Sequence, residues 1–112
     1  MQMASKLLVV ISTGEKEKAL TGLLYTTNAI RNKWLDDVRV FFFGPFEKLL
    51  SEDAEIQEWA SELANHQQPM ACKFISDNHG ISEQLTSLGV NVEYVGQPIS
   101  DAIKEGYVPM VF

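Results

Sequence analysis

The segment PMACKFISDNHGI, residues 69–81, holds the only cysteine of the chain, Cys72. A cysteine does chemistry as its thiolate, so a working Cys72 needs surroundings that favour negative charge and admit a reaction partner. His79 is the candidate to help. It stands at the approach to a helix, where a tight turn would return its imidazole toward Cys72, and a nearby imidazolium lowers a thiol pKa. Lys73 is adjacent, but successive strand residues point to opposite faces. Each residue also has a plainer reading. Free cysteine is among the most buried residue types and packs as a small hydrophobe. His79 reads equally as a solvated turn residue.

Other stretches are weaker candidates. STGE, Ser12, Thr13 and Gly14 before Glu15, partly matches the Ser/Thr-rich phosphate loop of flavodoxins. The acidic Glu15 and Glu17 oppose an anion there, although a helix N-terminus behind the loop attracts one. Ser12 with Glu15 also reads as a capping box and nothing more. Glu47, Glu52 and Asp53 follow the second apolar run, and carboxylates near the start of a helix are favoured by its dipole alone. His66, among Asn65, Gln67 and Gln68, reads as a surface loop. Two distant histidines with no convergent Asp/Glu spacing make no metal motif, and no cofactor signature stands out. No serine occupies a Gly-x-Ser-x-Gly elbow. A receiver domain needs acidic residues where Ser12 and Thr13 stand. A thioredoxin needs a second cysteine, and a dinucleotide fold needs two further glycines in STGEKEKA.

The elements that position these residues alternate along the chain. Leu7–Ile11 is a continuous apolar run, as in a strand covered on both faces. Leu20, Leu23, Leu24, Thr27, Ile30 and Trp34 follow at helical spacing. Val38–Phe43 is a second buried strand, ended by Gly44-Pro45. Ser51 caps a second helix carrying Ile56, Trp59, Ala60 and Leu63. Pro69 opens a third strand. Ile81, Leu85 and Leu88 mark a short helix with Gly89 at its C′ position. Val90–Val95 is a fourth strand, Pro98 starts a short helix, and Tyr107–Phe112 is a fifth strand. Strands alternating with helices imply right-handed crossovers and a parallel sheet with helices on both faces. Residues 1–112 read as one domain.

The layout resembles the DsrE/DsrF-like family of small sulfur-relay proteins. Cys72 at the end of the third strand, with Gly80-Ile81 eight residues on, matches that family's spacing. VRVFFFGP looks like its second strand and loop, and VNVEYVGQPISDAIKEGYVPMVF like its closing strand–helix–strand. The resemblance implies a three-layer α/β/α sandwich with a five-stranded, mainly parallel sheet in the order 4-3-2-1-5. It implies a homo-oligomer, commonly a trimer or hexamer. It also implies a persulfide carried on Cys72, received from a donor protein and passed to an acceptor. Gly44, Pro45 and Phe46 are then expected beside Cys72, as walls of its pocket. The chain departs from the family after Cys72, where KFISDN is bulkier than usual. If Phe74 and Ile75 extend the strand, Cys72 lies mid-strand.

Composition bounds the partners. The net charge of −6 and the lack of any basic stripe argue against nucleic acid. The LLVVI run is far too short for a membrane span or a secretory segment. One cysteine cannot form an intrachain disulfide, which fits a reducing compartment, so a cytoplasmic protein is expected. Two further functions fit the same residues: a non-catalytic oligomeric accessory subunit, and a small-ligand binder using the first and second βα loops. Pro109 cannot donate a ladder hydrogen bond, so the last strand is expected at a sheet edge. Covering that edge with another copy of the chain is the simplest solution.

Overall fold

A computed structural model of the chain describes residues 4–112; residues 1–3 of the expected domain lie outside it. Eleven elements alternate: β1 Lys6–Ile11, α1 Lys16–Arg31, β2 Asp37–Phe42, α2 Phe46–Glu52, α3 Ala54–His66, β3 Met70–Cys72, α4 Lys73–Asn78, α5 Ser82–Ser87, β4 Asn91–Glu93, α6 Gly96–Lys104 and β5 Val108–Val111. The five strands form one sheet in the order β4-β3-β2-β1-β5, and every neighbouring pair runs parallel. This is the expected sandwich and strand order. Pro109 lies in β5, which pairs only with β1 at the sheet edge.

Alternation along the strands divides the core in two. Leu7, Val9 and Ile11 of β1 face one side with Val38, Val40 and Phe42 of β2, under a thick helical layer that includes Leu23 of α1, Leu50 of α2, Ile56 and Leu63 of α3 and Leu85 of α5. Leu8 and Phe41 face the other side with Cys72, Val95, Ala102 and Tyr107. That second cluster is small, and its cover is thin. The run of three phenylalanines follows the pleat: Phe42 is wholly buried on the thick side, Phe41 is buried on the thin side, and Phe43 is 40% exposed.

Several local expectations change. Ser12 does not cap α1, which starts at Lys16 with no side-chain cap on its N-cap residue Glu15. The chain stays extended past β1, and Ser12 bonds through its backbone instead: its N–H donates to the Phe112 carbonyl at 2.7 Å, and its own carbonyl accepts from Phe46 N–H at 3.0 Å. Thr13 Oγ1 accepts from Glu15 N–H at 3.0 Å. Ser51 is not a cap either. It lies inside α2, and the following helix is capped by Asp53, whose carboxylate accepts from Ile56 N–H at 3.0 Å. Trp34 lies beyond the end of α1 and is 57% exposed, its ring tilted against Tyr25. The short β3 ends at Cys72 because KFISDN folds as α4 rather than extending the strand.

At the other end of the sheet, Tyr107 closes the thin core. Its hydroxyl donates to the Asp37 carboxylate. Arg39 and Lys6 lie 4.4 Å and 5.1 Å from its ring centroid, within the range of cation–π attraction. Arg39 is held in turn by Glu105 at 3.0 Å.

Candidate functional site

Parallel strands deliver their carboxyl ends to one edge of the sheet, where the βα loops of an open α/β sheet form ligand crevices. Three segments meet at that edge: Ser12–Gly14 after β1, the Gly44-Pro45 turn after β2, and Cys72 at the end of β3. The first two are fastened together. Phe43 N–H donates to Ile11 O at 3.1 Å. A Cβ on Gly14 would stand 3.1 Å from Pro45 Cβ. Gly44 adopts φ +127°, and a side chain there would collide with Ser12 Oγ and stand 3.1 Å from the Ser12 carbonyl oxygen. Only glycine fits this conformation and this close approach.

Cys72 sits at the β3–α4 junction as the N-cap residue of α4. It is 6% exposed and faces the thin core with Leu8, Phe41 and Val95. Its cross-strand neighbour on β4 is Glu93. Beside it, Lys73 pairs with Asp77 at 2.8 Å, which holds the Asp77 carboxyl below its usual range. Ser82 donates to Asp77 at 2.5 Å and is hydrogen-bonded to the hydroxyl of the buried Ser76 at 2.7 Å. This chain of bonds fixes α4 against the start of α5.

The structure does not bring His79 to Cys72. His79 is the C-cap residue of α4, so the whole six-residue helix separates them, about 9 Å at 1.5 Å per residue. His79 instead lines an open cleft of about 380 Å³ with Gly44, Pro45, Lys48 and Ile75. Phe46 does not line it. Its ring is wholly buried on the thick side, 4.7 Å from Phe42, because the first turn of α2 points that side chain inward. Ile75 links cleft and cysteine: it lines the one and packs against the cluster holding the other.

The residue that sequence reasoning passed over is Glu47. Taken as a carboxylate favoured near the start of a helix by its dipole, it is wholly buried. Gly44 N–H donates to its Oε2 over a long 3.5 Å, and the Cys72 backbone N–H lies near the carboxylate. Its other oxygen, Oε1, has no partner. Burial pushes its pKa up from 4.5 to about 7, against the opposing pull of the nearby Gly44 and Cys72 N–H groups. The carboxylate thus lies between the turn after β2 and the end of β3, bonded to the first. A signal was present in FEKLL: Phe46 and Leu50 are i, i+4 on the buried stripe, and Glu47 is i, i+3 with Leu50.

The Ser12–Gly14 loop has little left for an anion. The N–H groups of Ser12 and Thr13 both donate to Phe112 O, at 2.7 Å and 3.1 Å, and Glu15 N–H is taken by Thr13. Among the described residues, no group of three or more His, Cys, Asp or Glu side chains is placed to hold a metal ion. Nor is any helix among them long and apolar enough to cross a membrane.

No protein-family model matches the chain, and no curated protein matches it. Solved structures share its fold. A conserved protein of unknown function from Bacteroides thetaiotaomicron superposes with a TM-score of 0.90 at 23% identity, covering 100% of both chains. A protein of unknown function from Methanobacterium thermoautotrophicum superposes with a TM-score of 0.75 at 19% identity, covering 96% of this chain and 99% of the other. Sequence likeness this low carries the architecture and no activity.

Proposed function

We propose that the chain is a DsrE/DsrF-like sulfur carrier, with Cys72 as the residue that holds the sulfur. The observation that carries this reading is the placement of Cys72 at the end of β3. It stands where α4 begins, at the carboxyl edge of the sheet, beside the buried carboxyl group of Glu47. An inert core thiol needs no such neighbour. The step is a thiol exchange. The Cys72 thiolate attacks the outer sulfur of a donor persulfide, R–S–SH. A bond forms from Sγ to that sulfur, the donor's S–S bond breaks, and the donor leaves as R–S⁻. The product is Cys72–S–SH. An acceptor thiolate then attacks the same outer sulfur and releases the Cys72 thiolate, so no external oxidant or reductant is consumed. Donor and acceptor reach the sulfur past Ile75, from the cleft bordered by Gly44 and Pro45. Lys48 and His79 at that cleft suit an anionic sulfur donor. A reducing, cytoplasmic compartment fits a carrier whose thiol must stay free.

The test is intact-protein mass spectrometry after incubation with glutathione persulfide. Wild type should gain about 32 Da, one sulfur atom, and Cys72→Ser should gain nothing. A thiol that reacts only after denaturation would return Cys72 to the core.

The assembly proposed with it is a homo-oligomer, a trimer or hexamer. The support is an uncovered apolar edge: in β5, Val108 is 63% and Val111 64% exposed, and Ile103 of α6 is 54% exposed. An open, apolar edge strand invites association unless something covers it. Light scattering on the wild type and on Val111→Asp decides the matter. A monomer mass for wild type at micromolar concentration would refute it. An accessory role without sulfur chemistry is the reading left if the oligomer forms and Cys72 stays inert.

A further inference from the structure

The cleft of about 380 Å³ between the turn after β2 and α4 is lined by Gly44, Pro45, Lys48, Ile75 and His79. Its volume stands at the small end of the range for ligand pockets. Both walls are held from behind. On one side, Phe46 N–H donates to Ser12 O at 3.0 Å, and Glu47 N–H to Gly44 O at 3.0 Å. On the other, the Lys73–Asp77 pair and the Ser82 hydroxyl, bonded to both Asp77 and Ser76, fix α4. His79 N–H donates to Ile75 O at 3.2 Å and closes that helix. A ligand therefore meets a surface already in place, and little ordering cost is set against its binding.

The lining carries one sign of charge. Lys48 and His79 are its ionisable members among the described residues, and both are exposed. Lys48 reaches Glu52 only at 4.0 Å, with the two side chains 62% and 60% exposed. Such a contact is worth little in water, so the ammonium keeps donors for an incoming anion. His79 offers a ring N–H whether neutral or protonated. Glu47, next to Lys48 in sequence, is wholly buried and stays out of the lining. Between the two polar groups the walls are apolar, Pro45 on the turn and Ile75 on α4.

We infer that this cleft is a binding site for a small carboxylate with an apolar stem, Lys48 and His79 taking the carboxylate and Pro45 and Ile75 the stem, and that the sulfur donor to Cys72 is correspondingly a low-molecular-weight persulfide carrying a carboxylate. The stem then lies along Ile75, the residue that the cleft and the Cys72 cluster share. A protein donor would spread over a surface many times wider than five residues. A thiol the size of an amino acid or a short peptide is in scale with the cleft. The identity of the donor rests on the sulfur-carrier reading above; the binding of the carboxylate does not.

The test titrates the full chain with 3-(methylthio)propionate, an unreactive thioether carboxylate, and with its neutral amide, following the backbone N–H signals of Gly44 and His79 by NMR. The carboxylate should shift both signals with a Kd on the order of millimolar, as befits so small a molecule. The amide should bind on the order of tenfold more weakly, having lost its charge-assisted bonds. Lys48→Gln and His79→Gln, both at exposed positions, should each weaken the carboxylate about threefold to tenfold. Lys104→Gln, on α6, should change nothing. Equal binding of carboxylate and amide, or no shift at Gly44 and His79, overturns the inference. The donor is tested by the rate at which glutathione persulfide, below saturation, adds sulfur mass to Cys72. That rate should fall about tenfold in the double variant Lys48→Gln, His79→Gln. If the carboxylate binds and glutathione persulfide fails to load wild type, the sulfur reading falls and the site stands. If wild type and the double variant load equally fast, the site has no part in delivery, and the inference falls while the sulfur reading survives.

Discussion

Replacing Glu47 by Gln should stabilise this protein at alkaline pH, although it removes a charged hydrogen-bond acceptor. The group's folded pKa of about 7 lies above its ordinary 4.5. Between those values the folded state binds more protons than the unfolded state, so stability falls as pH rises through the window. The difference of two to three pKa units corresponds to about 3 kcal/mol, fully incurred above pH 7 and absent below about 4.5. Gln is neutral throughout, and its amide oxygen can still accept from Gly44. Its NH2 group brings a cost of about 1–3 kcal/mol if left unpartnered, but that cost does not vary with pH. The slope is therefore the quantity to read. Urea unfolding followed by Trp59 fluorescence at half-unit steps from pH 4.5 to 8.5 should show wild type losing about 3 kcal/mol relative to Glu47→Gln. The acids held down by partners do not interfere. Asp53, shifted first by the Ile56 N–H bond, and Asp77, shifted first by Lys73, both have folded pKa values below 3.8. What they contribute is lost only as pH falls through those lower values. Parallel stability curves for wild type and Glu47→Gln would refute the reasoning, because a carboxyl group free to meet water would not titrate near 7.

Three further outcomes follow from the same geometry. Gly44→Ala should destabilise by at least about 2 kcal/mol in urea unfolding, since it combines a strained φ with a collision against Ser12, whose backbone is pinned on both sides. Ile75→Ala should raise the rate of Cys72 alkylation about tenfold or more, as the half-buried side chain between cleft and thiol is removed, with about 1–2 kcal/mol of stability lost; an unchanged rate would mean that access runs elsewhere. Tyr107→Phe should cost only about 1 kcal/mol, the net worth of one hydrogen bond, because the half-exposed Asp37 carboxylate can turn to water, and it should leave the mass gain of Cys72 with glutathione persulfide untouched, because Tyr107 stands at the opposite end of the sheet.

Much of the architecture was legible without coordinates. LLVVI and VRVFFF are too continuously apolar to have one wet face, so they belong in a sheet covered on both sides. Pro109 cannot donate to a ladder on both sides, and β5 is an edge. Gly89 stands just past α5 with φ +92°, the left-handed stop that its position after Leu88 suggested. The strand order came from resemblance, and the observed sheet has it. Local capping was less legible. Ser12 and Glu15 make a plausible box on paper, and Ser51 a plausible cap ahead of α3. In the fold the backbone of Ser12 is claimed by Phe112 and Phe46, which are remote in sequence, and Asp53 stands closer to the start of α3.

By itself the sequence determined the alternation of strands and helices, the edge position of β5 and the place of Cys72 near the end of β3, because periodicity, turn residues and backbone chemistry are local. Only the tertiary structure decided which polar side chains met water. Phe46 went to the core and His79 to the far end of α4, and Glu47 was enclosed where two strand ends and a turn converge. Burial is a property of what three separate segments do together, and no spacing along one helix reports how much water the other two exclude.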